Sequence, residues 1–105
     1  MDFDLGKMQQ MLSQAQEMQS QMKDRLSETI VEADAGGGAV TARMDGNKRL
    51  LKLTIAPSAA SAAAGDITLL EDLIVAAINT AQAKADAAQQ SATSSLLGGL
   101  NLPGL

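Results

Sequence analysis

Thr29 to Pro57 reads TIVEADAGGGAVTARMDGNKRLLKLTIAP, and this stretch decides the fold. Val31, Ala33 and Ala35 alternate with Ile30, Glu32 and Asp34. Val40, Ala42 and Met44 alternate with Thr41, Arg43 and Asp45. Leu51, Leu53 and Ile55 alternate with Leu50, Lys52 and Thr54. A period of two places successive side chains on opposite faces of a strand, so each piece has one apolar and one polar face. Gly36-Gly37-Gly38 makes the first reversal. Asp45-Gly46-Asn47 makes the second, where an Asp-Gly pair suits the positive φ angles of hairpin turns. Three antiparallel strands, about 29–35, 39–45 and 48–55, form a sheet covered on one side only.

Working outward, apolar residues before this stretch fall at Leu5, Met8, Leu12, Ala15, Met22 and Leu26, with Met11 and Met18 beside them. Spacings of three, four and seven describe one stripe on a helix over 4–27. Glutamines cover much of the remaining surface, and Asp4 stands where it can cap the first turn. Such a helix is a rod of roughly 33–36 Å at 1.5 Å per residue. Three strands about 4.8 Å apart present a patch of only roughly 15 by 20–26 Å. The excess helix must pack on something else or project into water.

After Pro57 comes an alanine-rich connector, Ser58 to Gly65, followed by a helix over about 67–95 that Asp66 or Thr68 can cap. Leu69, Leu70, Leu73, Ile74, Ala76, Ala77 and Ile78 are apolar nearly all round, which predicts burial on more than one face. The closing LLGGLNLPGL has no periodicity and reads as a flexible apolar tail over 96–105. Residues 1–95 therefore form one domain of class α+β, an α-β-β-β-α protomer.

The totals narrow the function. The 105-residue chain carries one aromatic, Phe3, and fills much of its 46% hydrophobic content with alanine and six methionines. Small side chains bury little area each, so a second subunit is expected to complete the core. Leu70, Leu73, Ile74, Ala77 and Ile78, with Leu51 and Leu53 from the sheet, are the expected interface. With no cysteine and no histidine, the chain lacks thiol nucleophiles, the usual general base and the commonest transition-metal ligands. Glu71 and Asp72 are adjacent and diverge around a helix, so they do not form a facing carboxylate pair. The serines have no histidine and no convincing lysine base beside them. The glycine triplet lacks the following Gly-Lys-Ser/Thr and does not open a helix, so it is a turn rather than a phosphate loop. An enzyme is not expected, nor a metal, a cofactor or a small-molecule substrate. No apolar run reaches the ~20 residues of a membrane span, and the start MDFDLGK is acidic where a signal peptide is basic. A soluble cytoplasmic protein is the expectation.

The order of these pieces resembles the YbaB/EbfC family of small bacterial nucleoid-associated proteins over nearly the whole chain. The resemblance rests on KMQQMLSQAQEMQSQM (Lys7–Met22), Gly36–Gly38, VTARMDGNKRLLKLTIAPS (Val40–Ser58), LLEDLIVAAINTAQAKA (Leu69–Ala85) and the closing NLPGL. It implies a homodimer formed through the sheet and second helix, its first helices projecting like the arms of tweezers. It also implies duplex DNA as the partner, bound with low sequence specificity in nucleoid organisation or gene regulation.

Composition resists part of that implication. Twelve acids against eight bases leave a net charge of −4, whereas a basic surface is the usual footprint of nucleic-acid binding. Binding then needs cations segregated from the acids. Lys7, Lys23 and Arg25 on the first helix, joined by Lys84 on the second, are the expected DNA-binding set. Arg43, Lys48, Arg49 and Lys52, gathered on one hairpin, are the competing set. With no tryptophan or tyrosine, a stacking platform for single strands is missing, which leaves duplex DNA held by its backbone. The alternative is a protein–protein adaptor that grips its partner through the Met/Gln helix.

Overall fold

The computed structural model describes residues 4–62 and 65–99, with side chains through residue 95. The elements run α1 (Leu5–Glu28), β1 (Ile30–Ala35), β2 (Val40–Asp45), β3 (Leu50–Ile55), α2 (Pro57–Ala62) and α3 (Ile67–Gly99). The expected α-β-β-β-α order is present, with one short helix added.

Local chemistry accounts for the ends of these elements. Asp4 Oδ1 accepts from Gly6 N at 3.0 Å and from Lys7 N at 3.4 Å, satisfying two donors that the first turn of α1 leaves open. Asp66, not Thr68, caps α3, its Oδ1 accepting from Leu69 N at 3.1 Å. The connector is helical over Pro57–Ala62, where the sequence reading expected only a link. Proline lacks an N–H that the first helical position would not use, and alanine propagates a helix better than any other residue. α3 continues to Gly99, past the expected end at 95. Of the apolar tail expected over 96–105, residues 96–99 are helical and residues 100–105 lie outside the described part.

The sheet is antiparallel in the order β1-β2-β3. Val31 stands opposite Met44, Ala33 opposite Ala42 and Ala35 opposite Val40. Gly36, Gly37 and Gly38 turn the chain at φ 67°, 67° and 92°, conformations that cost a side chain strain and glycine little. Between β2 and β3 the register shifts: Arg43 faces Lys52, but Met44 faces Leu50. Two residues, Leu50 and Leu51, therefore oppose one, which is a β-bulge. The alternation read from the sequence placed Leu50 on the polar face and gave no sign of this extra residue.

α3 lies across β1 and β2 and leaves β3 largely uncovered. Ala77, Ala81 and Ala85, four residues apart on one stripe of the helix, are completely buried against Ala33, Val40, Ala42 and Met44. Residues this small let the helix approach the sheet closely. Ala77, expected at a subunit interface, therefore belongs to the protomer's own core. Leu70, Leu73, Ile74, Ile78 and Leu53 pack half-buried around that core. Leu50, Leu51, Ile67, Leu69 and Val75 remain exposed.

The second turn differs from its expectation in an instructive way. The positive φ in this turn is at Lys48, at 68°, and not at Gly46. Gly46 is needed for space instead. A Cβ there would stand 2.8 Å from Leu26 Cδ2 and 2.9 Å from the Leu26 carbonyl oxygen. The Gly46 N–H donates to that carbonyl at 2.8 Å and to Thr29 O at 2.9 Å. Gly46→Ala is therefore expected to destabilise the fold by about 1–3 kcal/mol, because part of the collision is with backbone that cannot rotate away. Chemical denaturation measures this, and an unchanged midpoint would mean that the turn and α1 separate freely.

Candidate functional site

α1 is the distinctive surface of the molecule. Its 24 residues span roughly 36 Å at 1.5 Å per residue, yet Leu26 is its only buried residue. Everything from Leu5 to Gln21 is exposed, and Leu5 and Met11 are 72% and 69% exposed. The helix leaves the body as an arm anchored at its C-terminal end. The protomer measures 72 × 27 × 20 Å accordingly.

The anchor is the turn after β2. Asp45 is buried at 5% exposure, and its Oδ1 accepts from Asn47 N and Arg49 N, both at 2.9 Å. That carboxylate shapes the turn. The turn then reaches both long helices: Asn47 Nδ2 donates to Lys23 O in α1 at 2.9 Å. Gln89 Nε2, from α3, donates to Gly46 O at 2.8 Å. Thr93 of α3 shares an open apolar groove with Ala15, Met18, Gln19 and Met22, so α3 runs antiparallel to the proximal half of the arm.

The charges divide along the same lines. Lys7 and Arg25 are 18 residues apart, five whole turns, and so share one flank of the apolar stripe. Lys23 falls on the other flank, while Glu17, Asp24 and Glu28 fall on the far side of the helix from the stripe. All three cations are exposed, and none takes part in an ion pair among the described residues.

The hairpin cations have partners nearby. Arg43 Nε lies 3.9 Å from Glu32 Oε1, both side chains about half exposed, in a row where Glu32, Arg43 and Lys52 face one another across the strands. Lys48 Nζ pairs with Asp86 of α3. Arg49 and Lys52 are exposed and form no ion pair among the described residues. Lys84 is not gathered with the arm: its Nζ donates to Glu32 O at 2.7 Å, tying α3 to the edge strand β1.

The expected interface residues are also dispersed by depth. Ala77 is inside, Leu70, Leu73, Ile74, Ile78 and Leu53 are half inside, and Leu51 faces out. Asn47 and Gln89, which bond to Lys23 O and Gly46 O at the base of the arm, were not among the expected site residues. The only signal for Asn47 was its place in the Asp-Gly-Asn turn, and nothing in the alanine/glutamine-rich run marked Gln89. No group of three or more Asp or Glu residues that could hold a metal ion occurs among the described residues. No helix there is long and apolar enough to cross a membrane.

Fold and site together define an arm-bearing α-β-β-β-α domain with exposed cations on its long first helix and on its hairpin. The chain belongs to the YbaB/EbfC DNA-binding family, whose sequence profile matches residues 5–100. A nucleoid-associated protein of Acidobacterium capsulatum is 57% identical over 100 residues, covering 92% of this chain and 93% of that protein. One from Koribacter versatilis is 38% identical over 95 residues, covering 90% and 92%. A third, from Acetivibrio thermocellus, is 41% identical over 104 residues, covering 95% and 90%. The crystal structure of an uncharacterized Helicobacter pylori protein matches with a TM-score of 0.75 at 20% identity, covering 91% of this chain and 99% of that one. That last likeness is one of fold.

Proposed function

We propose that this chain is a non-enzymatic, nucleoid-associated protein of the cytoplasm that binds duplex DNA with low sequence specificity. It acts as a homodimer in nucleoid organisation or gene regulation, with the α1 arms as its grip. Membership of a DNA-binding family supports the partner, and the names of the relatives support the location. The observation that carries the assignment to the arm is the segregation of charge. Lys7 on the projecting part of α1, and Lys23 and Arg25 near its anchored end, lie outside any ion pair among the described residues, as do Arg49 and Lys52, while Arg43 and Lys48 pair with Glu32 and Asp86. A chain of net charge −4 repels a polyanion overall, so cations set on the flanks of α1's apolar stripe, with Glu17, Asp24 and Glu28 on the far side of the helix, are the ones a phosphate backbone meets. Binding through phosphates positions the protein without reading bases, which gives low specificity.

The homodimer is supported by what the protomer leaves uncovered. β3 is largely uncovered by α3, and Leu50 and Leu51 on that strand are exposed, as are Ile67, Leu69 and Val75 on α3. A second copy packed on these residues would cover them.

A titration of labelled duplex tests the arm directly. Lys23→Ala/Arg25→Ala should weaken binding equally for unrelated sequences and flatten the salt slope by about 0.9 for each phosphate that is no longer neutralised. Lys48→Ala/Lys52→Ala should change it little. The reverse pattern would assign the DNA surface to the hairpin. The adaptor reading is favoured by one observation, the exposed apolar stripe Leu5, Met8, Met11 and Leu12 on the arm. It predicts no retardation of duplex by the unsubstituted protein even at low salt.

A further inference from the structure

The arm is attached at a junction whose polar contacts converge on a single turn. Gly46 N–H donates to two carbonyls at the end of α1, Leu26 O and Thr29 O. Asn47 Nδ2 donates to Lys23 O, one turn further back along the arm. Gln89 Nε2 reaches the same turn from α3 and donates to Gly46 O. Two side chains thus link the turn to both long helices, one through Lys23 O and one through Gly46 O. Leu26, at the same end, is the one residue of α1 that is buried. α3 also runs beside the proximal half of α1, and hydrogen bonds through the turn add a directional restraint at the base of the arm.

We propose that Asn47 and Gln89 are positioning residues that set the direction of the α1 arm relative to the sheet. They act as donors through the β2–β3 turn, not as filling. Gly46 admits the turn close enough to α1 for the Asn47 bond to form, since a Cβ at that position would meet Leu26 O at 2.9 Å, and Gln89 holds the turn from the α3 side. Asp45, through Asn47 N and Arg49 N at 2.9 Å, holds the turn in the shape that aims Asn47 at the arm. The assignment concerns where the arm points and holds whatever the arm grips. On the duplex-binding reading, the angle set here fixes the width between two arms.

Isosteric substitutions separate a donor from a filler. Asn47→Asp and Gln89→Glu keep size and shape but replace the donating amide with an acceptor facing a carbonyl oxygen. Because the chain has no cysteine, spin labels attach cleanly at Ser13→Cys on the arm and Thr54→Cys on β3, both exposed positions. Dilution with unlabelled protein leaves only distances within one chain, and the measurement needs no DNA. Loss of a single arm position is expected in Asn47→Asp, Gln89→Glu and the two alanine variants, seen as a shifted and broadened Ser13–Thr54 distribution. A second label pair at Thr54 and Gln82, between sheet and α3, is expected to keep its unsubstituted distance, which shows the body intact. The proposal is overturned if the isosteric variants keep the unsubstituted arm distance while alanine alone broadens it. It is equally overturned if every variant leaves the arm where it is, or if the Thr54–Gln82 distance broadens in step with the arm.

Discussion

Leu51→Asp is expected to yield a monomer at micromolar concentration, whereas Ile74→Asp and Ile78→Asp are expected to lose both the dimer and much of the folded signal. The difference follows from depth. Leu51 is 46% exposed on a strand that α3 does not cover, so the protomer asks little of it. Burying a leucine contributes about 2 kcal/mol. A twofold interface contains each residue twice, and removing about 4 kcal/mol raises the dissociation constant roughly a thousandfold. Ile74 and Ile78 pack against Ala77, Ala81 and Ala85 within the chain's own core. A carboxylate there is desolvated without a partner, which disrupts the protomer before any question of assembly arises. Light scattering with far-UV circular dichroism separates the two outcomes. A Leu51→Asp protein with a dimer mass would remove β3 from the interface.

The fold was legible in the sequence because each local signal agreed with its neighbours. Alternation in Val31–Ala35, Val40–Met44 and Leu51–Ile55 defined three strands, two reversals joined them, and the Met/Gln stripe defined a helix longer than the sheet it joins. What escaped the reading depends on three-dimensional proximity. The bulge at Leu50–Leu51 adds one residue to an apolar run without breaking its composition. Ala77 looks like any other apolar residue in Leu69–Ile78, and only the close approach of α3 to Ala33 and Ala42 places it inside. Gly46 sits in a dipeptide that reads as a hairpin turn. Its actual constraint is Leu26, 20 positions away, which no local pattern reveals.

The candidate site was legible as residue types and illegible as an arrangement. Lys7, Lys23 and Arg25 could be placed on one helix by inspection, and helical periodicity puts two of them on one flank of its stripe. That Lys48 is committed to Asp86, and Lys84 to the backbone of Glu32, depends on where α3 crosses the sheet. Sequence could not divide the eight bases into held and free. Asn47 and Gln89 are 42 positions apart and meet only through the turn at Gly46.

If cations on paired arms hold duplex DNA by its phosphates, the salt dependence of binding counts them. Three arm cations from each of two copies neutralise six phosphates. At about 0.9 counterion released per phosphate, the slope of log affinity against log salt is about −5. Raising the salt from about 50 to about 200 mM should then weaken binding roughly a thousandfold. Fluorescence anisotropy of two unrelated labelled duplexes, titrated at both salt concentrations, reads this directly. Both duplexes are expected to bind alike at low salt and to be released together as it rises. Absence of binding at the lower salt, or affinity that does not change between the two, would contradict this.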